Sequence, residues 1–220
     1  MIKTLTSIAV FAALTLSPLA SANQAGDILV RGGLTMVSPD STKAAVLLDG
    51  AVSGLEVSVD DNTQLGLTFT YFFDSNWAIE VLAATPFSHD INLHDGTTTT
   101  KLAEVKQLPP TVSALYYFNT NSAFKPYLGV GLNYTIFFSE DFTSTYSDAG
   151  FSDLELDGSF GLAAQVGADY HFNDKWHINA SARYIGTGTD ANFKVAGTIK
   201  GSASVDVYPM VYSIMVGYKF

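Results

Sequence analysis

The chain has 220 residues, 47% of them hydrophobic but only 15% charged, well below the roughly 25% charge of an ordinary soluble domain. A formal net charge of -10 disfavours nucleic acid as a partner, because little positive surface is left to neutralise phosphates. The lack of cysteine excludes disulfide frameworks, thiolate metal sites and thiol nucleophiles.

In chain order, the first segment reads as an export signal. Lys3 precedes an apolar stretch over residues 8–19, and Ala20-Ser21-Ala22 has the small-x-small form a signal peptidase needs. Residues 1–22 are therefore expected to be a signal peptide, and residues 23–220 a single mature domain.

From Asp27 onward the apolar period is two, the signature of strands with different surroundings on their two faces. Ile28, Val30, Leu34 and Met36 share one face; Leu29, Arg31, Thr35 and Val37 share the other. The alternation recurs over residues 65–72, 77–84, 111–118, 127–138, 160–170, 176–185 and 208–220, giving eight strands in all. Each is about the length of a tilted membrane strand, ~9–11 residues.

Connections of two kinds alternate strictly. Residues 73–76, 119–123 and 173–175 are tight and Asn/Asp-rich, as hairpin turns are; residues 38–62, 85–108, 139–157 and 186–204 are long and polar. The pattern predicts an all-β fold, an eight-stranded antiparallel up-and-down transmembrane β-barrel with four long extracellular loops. A closed meander of this kind leaves no strand edge.

The composition of the two faces favours a membrane barrel over a soluble one. One face is mainly Gly, Ala, Ser, Thr, Asn and Gln, with isolated charges at Arg31, Glu80, Asp169, Arg183 and Lys219, which suits a cramped lumen. Phe72, Trp77, Tyr117, Phe118, Phe124, Tyr170, Phe172 and Trp176 gather at the short-turn ends, where an interfacial aromatic girdle is expected. Sixteen acids, Asp40, Asp60 and Asp61 among them, lie in or beside the long connections with only five lysines. Such charge belongs outside the hydrocarbon.

Chemistry-bearing motifs are sparse. His89 and His94 lack metalloprotease spacing, His171 and His177 flank a turn, and no G-x-S-x-G elbow occurs. The glycines at 32–33 and at 129 and 131 lack a strand-to-helix phosphate-loop context and read as packing or lumen clearance. No catalytic residue, metal site or cofactor is expected.

The opening from Gly26 to Pro39, GDILVRGGLTMVSP, resembles the mature start of the outer membrane protein W family, which includes the alkane-uptake porin-like proteins. Leu108-Pro109-Pro110-Thr111, the KPYLGVGLNY run at residues 125–134 and the final Val216-Gly217-Tyr218-Lys219-Phe220 are also similar to it. The resemblance implies a monomeric eight-stranded barrel in the outer membrane of a Gram-negative bacterium. It further implies a narrow apolar passage for small hydrophobic molecules, closed toward the periplasm, that releases substrate sideways through the wall. Pro39, Pro109 and Pro110 then mark the candidate lateral-gate region, and Tyr218 and Phe220 resemble the signal read by the outer-membrane assembly machinery. One departure is the segment Val205-Asp206-Val207-Tyr208-Pro209-Met210, where the proline stands two residues from its usual place after Asp.

Inward parity gives Leu29, Val37, Phe72, Leu82, Leu115, Tyr117, Phe137, Ile185 and Met215 as the candidate hydrophobic passage. Leu47, Leu48, Leu55, Phe87, Ile91, Leu93 and Phe142 are candidates for a funnel formed by the loops. The expected function is uptake of small apolar solutes, with outer-membrane lipids and lipopolysaccharide as surroundings. The alternative is a structural or adhesion barrel whose loops bind a partner.

Overall fold

Alternating large and small side chains build a wall with one face in lipid and one in a narrow interior. A computed structural model of the chain describes residues 23–39 and 43–220; the expected signal peptide, residues 1–22, and Asp40 lie outside them. Strand β1 (Ile28–Ser38) is followed by the hairpin β2 (Ala44–Leu48) and β3 (Ala51–Val59), then by β4 (Asn62–Phe72) and β5 (Trp77–Ala84). The next long connection is the hairpin β6 (Phe87–His94) and β7 (Thr99–Leu108), leading to β8 (Thr111–Tyr117) and the 19-residue β9 (Phe124–Phe142). A short helix α1 (Ser144–Asp148) and β10 (Phe151–Leu156) precede β11 (Ser159–His171) and β12 (Trp176–Gly186). The hairpin β13 (Gly188–Val195) and β14 (Ile199–Asp206) leads to the last strand, β15 (Met210–Lys219).

Eight of these strands, β1, β4, β5, β8, β9, β11, β12 and β15, pair antiparallel in chain order. The β1–β15 ladder, from Leu29–Lys219 to Ser38–Met210, closes the ring. The outward residues are large and bare, with Phe160, Leu162 and Val130 each more than 60% exposed. Thr35, Thr68, Ser113, Asn133 and Gln165 are buried on the inner side. Such an exposed apolar belt on a closed barrel is stable only against hydrocarbon. Two residues expected in the girdle, Phe72 and Tyr117, instead point inward and are fully buried, because their parity outweighs their position near a turn.

The short turns owe their shape to a recurrent side-chain contact. The Asp74 carboxylate accepts from the backbone N–H groups of Asn76 and Trp77 at 2.7 and 2.8 Å, which holds its pKa below the ordinary value. Asn173 accepts from Lys175 and Trp176 at 2.9 Å in the same way.

The long connections, read from the sequence as long and polar, are built mostly of strands. They form a second antiparallel sheet, a crown on the barrel, in the order β10-β13-β14-β2-β3-β6-β7-β9. Buried residues alternate with more exposed ones in β6, as in Phe87, His89 and Leu93 against Ser88, Asp90 and His94, so this strand turns one face inward. Asp49 and Gly50 (φ 47° and 80°) adopt the left-handed pair of a two-residue hairpin turn, and Ala196 and Gly197 (φ 51° and 73°) the same pair within the three-residue β13–β14 connection. Asp95 caps the β6–β7 turn through the N–H groups of Thr97 and Thr98, hydrogen bonds that pull its pKa down to about 2. Val46, Val57, Leu93, Leu102, Ala103, Phe193 and Ala203 form the crown's own hydrophobic core.

Candidate functional site

The barrel interior is layered along its axis. At the short-turn end, Leu29, Phe72, Ala78, Leu115, Tyr117 and Tyr127 pack into an apolar floor. Above it the isolated inward charges of single strands meet in one layer. Arg31, fully buried, donates from Nη1 to Thr70 Oγ1 (2.8 Å) and Glu80 Oε2 (3.0 Å). From Nη2 it donates to Tyr117 Oη (2.6 Å) and Asp169 Oδ2 (2.8 Å), and from Nε to His177 Nε2 (3.1 Å). Arg183 Nη2 and Gln165 Nε2 donate to Glu80 Oε1 at 2.9 and 3.1 Å, and Asn179 donates to Asp169 Oδ1 at 2.7 Å. Two guanidiniums and two carboxylates thus balance within hydrogen-bonded contact, the condition for burying ions at all. His171 and His177 also face the interior, stacked at 4.9 Å between ring centroids, rather than sitting at the surface of their turn.

Toward the crown the lining becomes apolar again. Val37, Phe87, Ala163, Ile185 and Val211 cluster at the barrel mouth, with Leu82 buried beside them. A cavity of about 60 Å³ opens above, lined by Val37, Ile91, Val105, Phe137, Ile185, Val205, Val207 and Val211 together with Pro39, Pro109 and Pro209. His89 forms part of this wall: its Nδ1 lies 2.6 Å from the Asp60 carbonyl and its Nε2 2.8 Å from Gln107 Nε2. The carbonyl can only accept and the amide nitrogen only donate, so the ring is the neutral Nδ1–H tautomer. Burial pushes its pKa below the ordinary value.

The expected passage residues therefore fall into separate groups. Leu29, Phe72, Leu115 and Tyr117 lie in the floor, Val37 and Ile185 at the mouth, and Phe137 in the crown cavity; Met215 is buried in the lumen. A single apolar column is not formed, because the Arg31 layer divides it. Of the expected funnel residues, Leu48, Leu55, Ile91, Leu93 and Phe142 belong to or pack on the crown core, Phe87 belongs to the mouth, and Leu47 lies half-buried where β2 meets β14. Among them, Ile91 also lines the cavity. Hairpin formation is the reason: once the connections pair, their apolar residues bury one another.

Prolines mark two joints between barrel and crown. The β5–β8 ladder runs to Leu82–Thr111 and the β6–β7 ladder resumes at Phe87–Gln107, with Leu108, Pro109 and Pro110 between them. Proline brings no N–H to a ladder; the Pro110 carbonyl accepts from Tyr134 N–H at 3.1 Å. At the other joint β1 and β15 part after Ser38–Met210, beside Pro39 and Pro209. An open groove of about 760 Å³ lies outside the wall there, lined by Ser38, Pro39, Lys43, Val59, Asp60, Asp61, Tyr184, Tyr208 and Tyr212. Pro39 and Val59 line both this groove and the inner cavity.

A closed eight-stranded antiparallel barrel with an apolar outer belt defines an outer-membrane β-barrel protein. The chain belongs to the OmpW family, whose model matches residues 24–220. It is 47% identical over 221 residues to outer membrane protein W of Vibrio cholerae, covering 99% of each chain. It is similar to the crystal structure of OprG from Pseudomonas aeruginosa, with 45% identity and a TM-score of 0.85 over 90% of this chain and 98% of that one. Outer membrane protein AlkL of Ectopseudomonas oleovorans is a more distant relative, 26% identical over 172 residues, 78% of this chain and 72% of AlkL. A solid-state NMR structure of AlkL in DMPC bilayers matches at a TM-score of 0.66 and 25% identity, over 92% of this chain and 94% of that one. The protein is thus located in the outer membrane.

Proposed function

We propose that the protein is a conduit, not an enzyme, that takes up small hydrophobic molecules through the crown and releases them sideways into the membrane. One observation carries this reading: the apolar crown cavity is backed by a charged layer below and separated by Pro39 and Val59 from a groove on the outer wall. An apolar solute gains roughly 25 cal/mol per Å² on entering such a cavity. It gains nothing from the ion pairs beneath, whose desolvation it cannot repay. The sideways path is therefore favoured over the axial one for such a solute. The crown faces the outside and its acids stand above the lipopolysaccharide headgroups. The terminal Tyr218–Phe220 pair, with ring centroids 4.7 Å apart, is presented to the assembly machinery.

Uptake of a short alkane by cells with matched folded protein tests the route. Phe137→Asp, which puts a carboxylate on the cavity wall, should lower uptake severalfold, whereas Asp153→Asn on the exposed crown should leave it unchanged. Equal uptake by wild type, Phe137→Asp and a strain lacking the protein would discard transport and leave a loop-binding barrel. Sidedness is tested by single cysteines at Asp49, Asp95, Ser147 and Asn192, which should react with an impermeant thiol reagent on intact cells. Cysteines at Ser75, Asn121 and Asp174 should react only after the outer membrane is breached, and outside labelling of both sets would refute the orientation.

A further inference from the structure

The charged layer that closes the barrel axis contains a titratable latch. Because Arg31 Nε–H donates to His177 Nε2, that nitrogen carries no proton and the imidazole is neutral. With a neutral ring, Arg31 and Arg183 balance Glu80 and Asp169. A proton at Nε2 would set two donors against each other and add an uncompensated charge to a fully buried site.

The surroundings offer that charge no relief. His177 is faced by Arg31 from β1 and by Asp169 and His171 from β11; Tyr117 from β8 and Glu80 from β5 lie one hydrogen bond beyond Arg31, and Arg183 bonds Glu80 in turn. Lys125 and Lys219, from β9 and β15, add positive potential at neighbouring His171. Asp169 Oδ1 lies 3.9 Å from His177 Nε2, but the two Asp169 oxygens already accept from Arg31, Tyr117 and Asn179. Nor is there space to retreat toward β15, where even a methyl group on Gly217 would collide with His177 Nε2 and Arg31 Cγ. The protonated ring and Arg31 must separate.

Polar groups stand ready on both sides for the water that would enter. The β11–β12 ladder places Gln165–Arg183, Asp169–Asn179 and His171–His177 at successive levels from crown to floor. Gln165 Oε1 and Arg183 Nε above the layer, and His171 Nε2 below it, are buried with no hydrogen-bond partner among the described residues. The apolar floor fills the β4–β9 side, so the imidazole side is the polar way through.

We propose that the Arg31–His177 contact is an acid-opened gate on an axial route for water and small ions, distinct from the apolar route. The test is ion conductance of the folded protein in planar bilayers, as pH is lowered from about 7.5 through the ordinary histidine range to about 3, since burying the charged ring delays its protonation. Wild-type conductance should rise, by up to about tenfold per pH unit while the single site titrates. His177→Gln, whose amide oxygen still accepts from Arg31 but takes up no proton, should stay at the neutral-pH level throughout. A flat wild-type response, or the same rise in His177→Gln, overturns the gate. If that variant does not fold, nitrogen-15 NMR of the wild-type histidines decides: the His177 protonation midpoint must coincide with the conductance midpoint, and separate midpoints overturn it. Alkane uptake is a different readout, so failure of the lateral route and failure of the gate are told apart.

Discussion

Replacing Glu80 with glutamine removes one charge from the lumen layer and should destabilise the barrel far more than any change on the crown. Glu80 accepts from Arg31, Arg183, Gln165 and, at 3.3 Å, Thr70, and is almost fully buried. The amide keeps one acceptor but turns an NH₂ group toward a guanidinium and leaves two buried cations facing only Asp169. Breaking a buried pair in this way costs about 3–5 kcal/mol. At a urea slope of roughly 2 kcal/mol/M, a loss of about 4 kcal/mol lowers the unfolding midpoint by about 2 M. The midpoint can be followed by fluorescence of the lipid-facing Trp77 and Trp176 in phosphatidylcholine vesicles. Glu80→Leu combined with Arg183→Leu removes one charge of each sign, leaves the Arg31–Asp169 pair intact and should recover most of the loss. A Glu80→Gln stability within about 0.5 kcal/mol of wild type would mean that the layer is hydrated, and the argument from desolvation would fail.

Two further outcomes are expected. His89, held neutral with its pKa lowered by burial in the cavity wall, takes up a proton less readily in the folded than in the unfolded protein. Its effect is therefore absent above about pH 6.5 and becomes a growing loss of stability as pH falls below that unfolded value toward the folded one. His89→Gln should flatten this part of the pH–midpoint curve, and superimposable curves for the two proteins would refute it. Phe220→Ala should reduce the heat-modifiable, folded fraction in the outer membrane with little change in exported chain, as read on unheated gels. Normal folded levels under strong expression would remove Phe220 from assembly.

Strand parity was legible because it is local: Leu65, Leu67 and Phe69 announce a lipid face whatever lies beyond the strand. The short turns were equally plain from Asp74 and Asn173. The charge layer was not, since Arg31 meets Asp169 and His177 across separations of 138 and 146 residues, and nothing within one strand says which charges share a level. The register needed for that follows only from closure of β1 on β15. The crown hairpins did carry a signal, in the alternation from Phe87 to His94 and in Asp49-Gly50, but the density of acids concealed it. Net charge reports where a segment meets water, and hairpins and irregular loops meet it alike.

The length of β9 has a mechanical consequence. It runs unbroken through 19 residues, pairing with β8 and β11 in the wall and with β7 above it. The β2–β7 part of the crown is therefore clamped like a leaf along this spine, while β13 continues from β12 after a single residue. Four strands away in the crown sheet, the described residues of β2 pair with β14 at Gly201–Leu48 and Ser202–Leu47, extended by Asp49 bonded to Lys200. Tilting of that part pivots about β9 and opens the short seam, on the side where Pro39 and Pro209 already interrupt the wall.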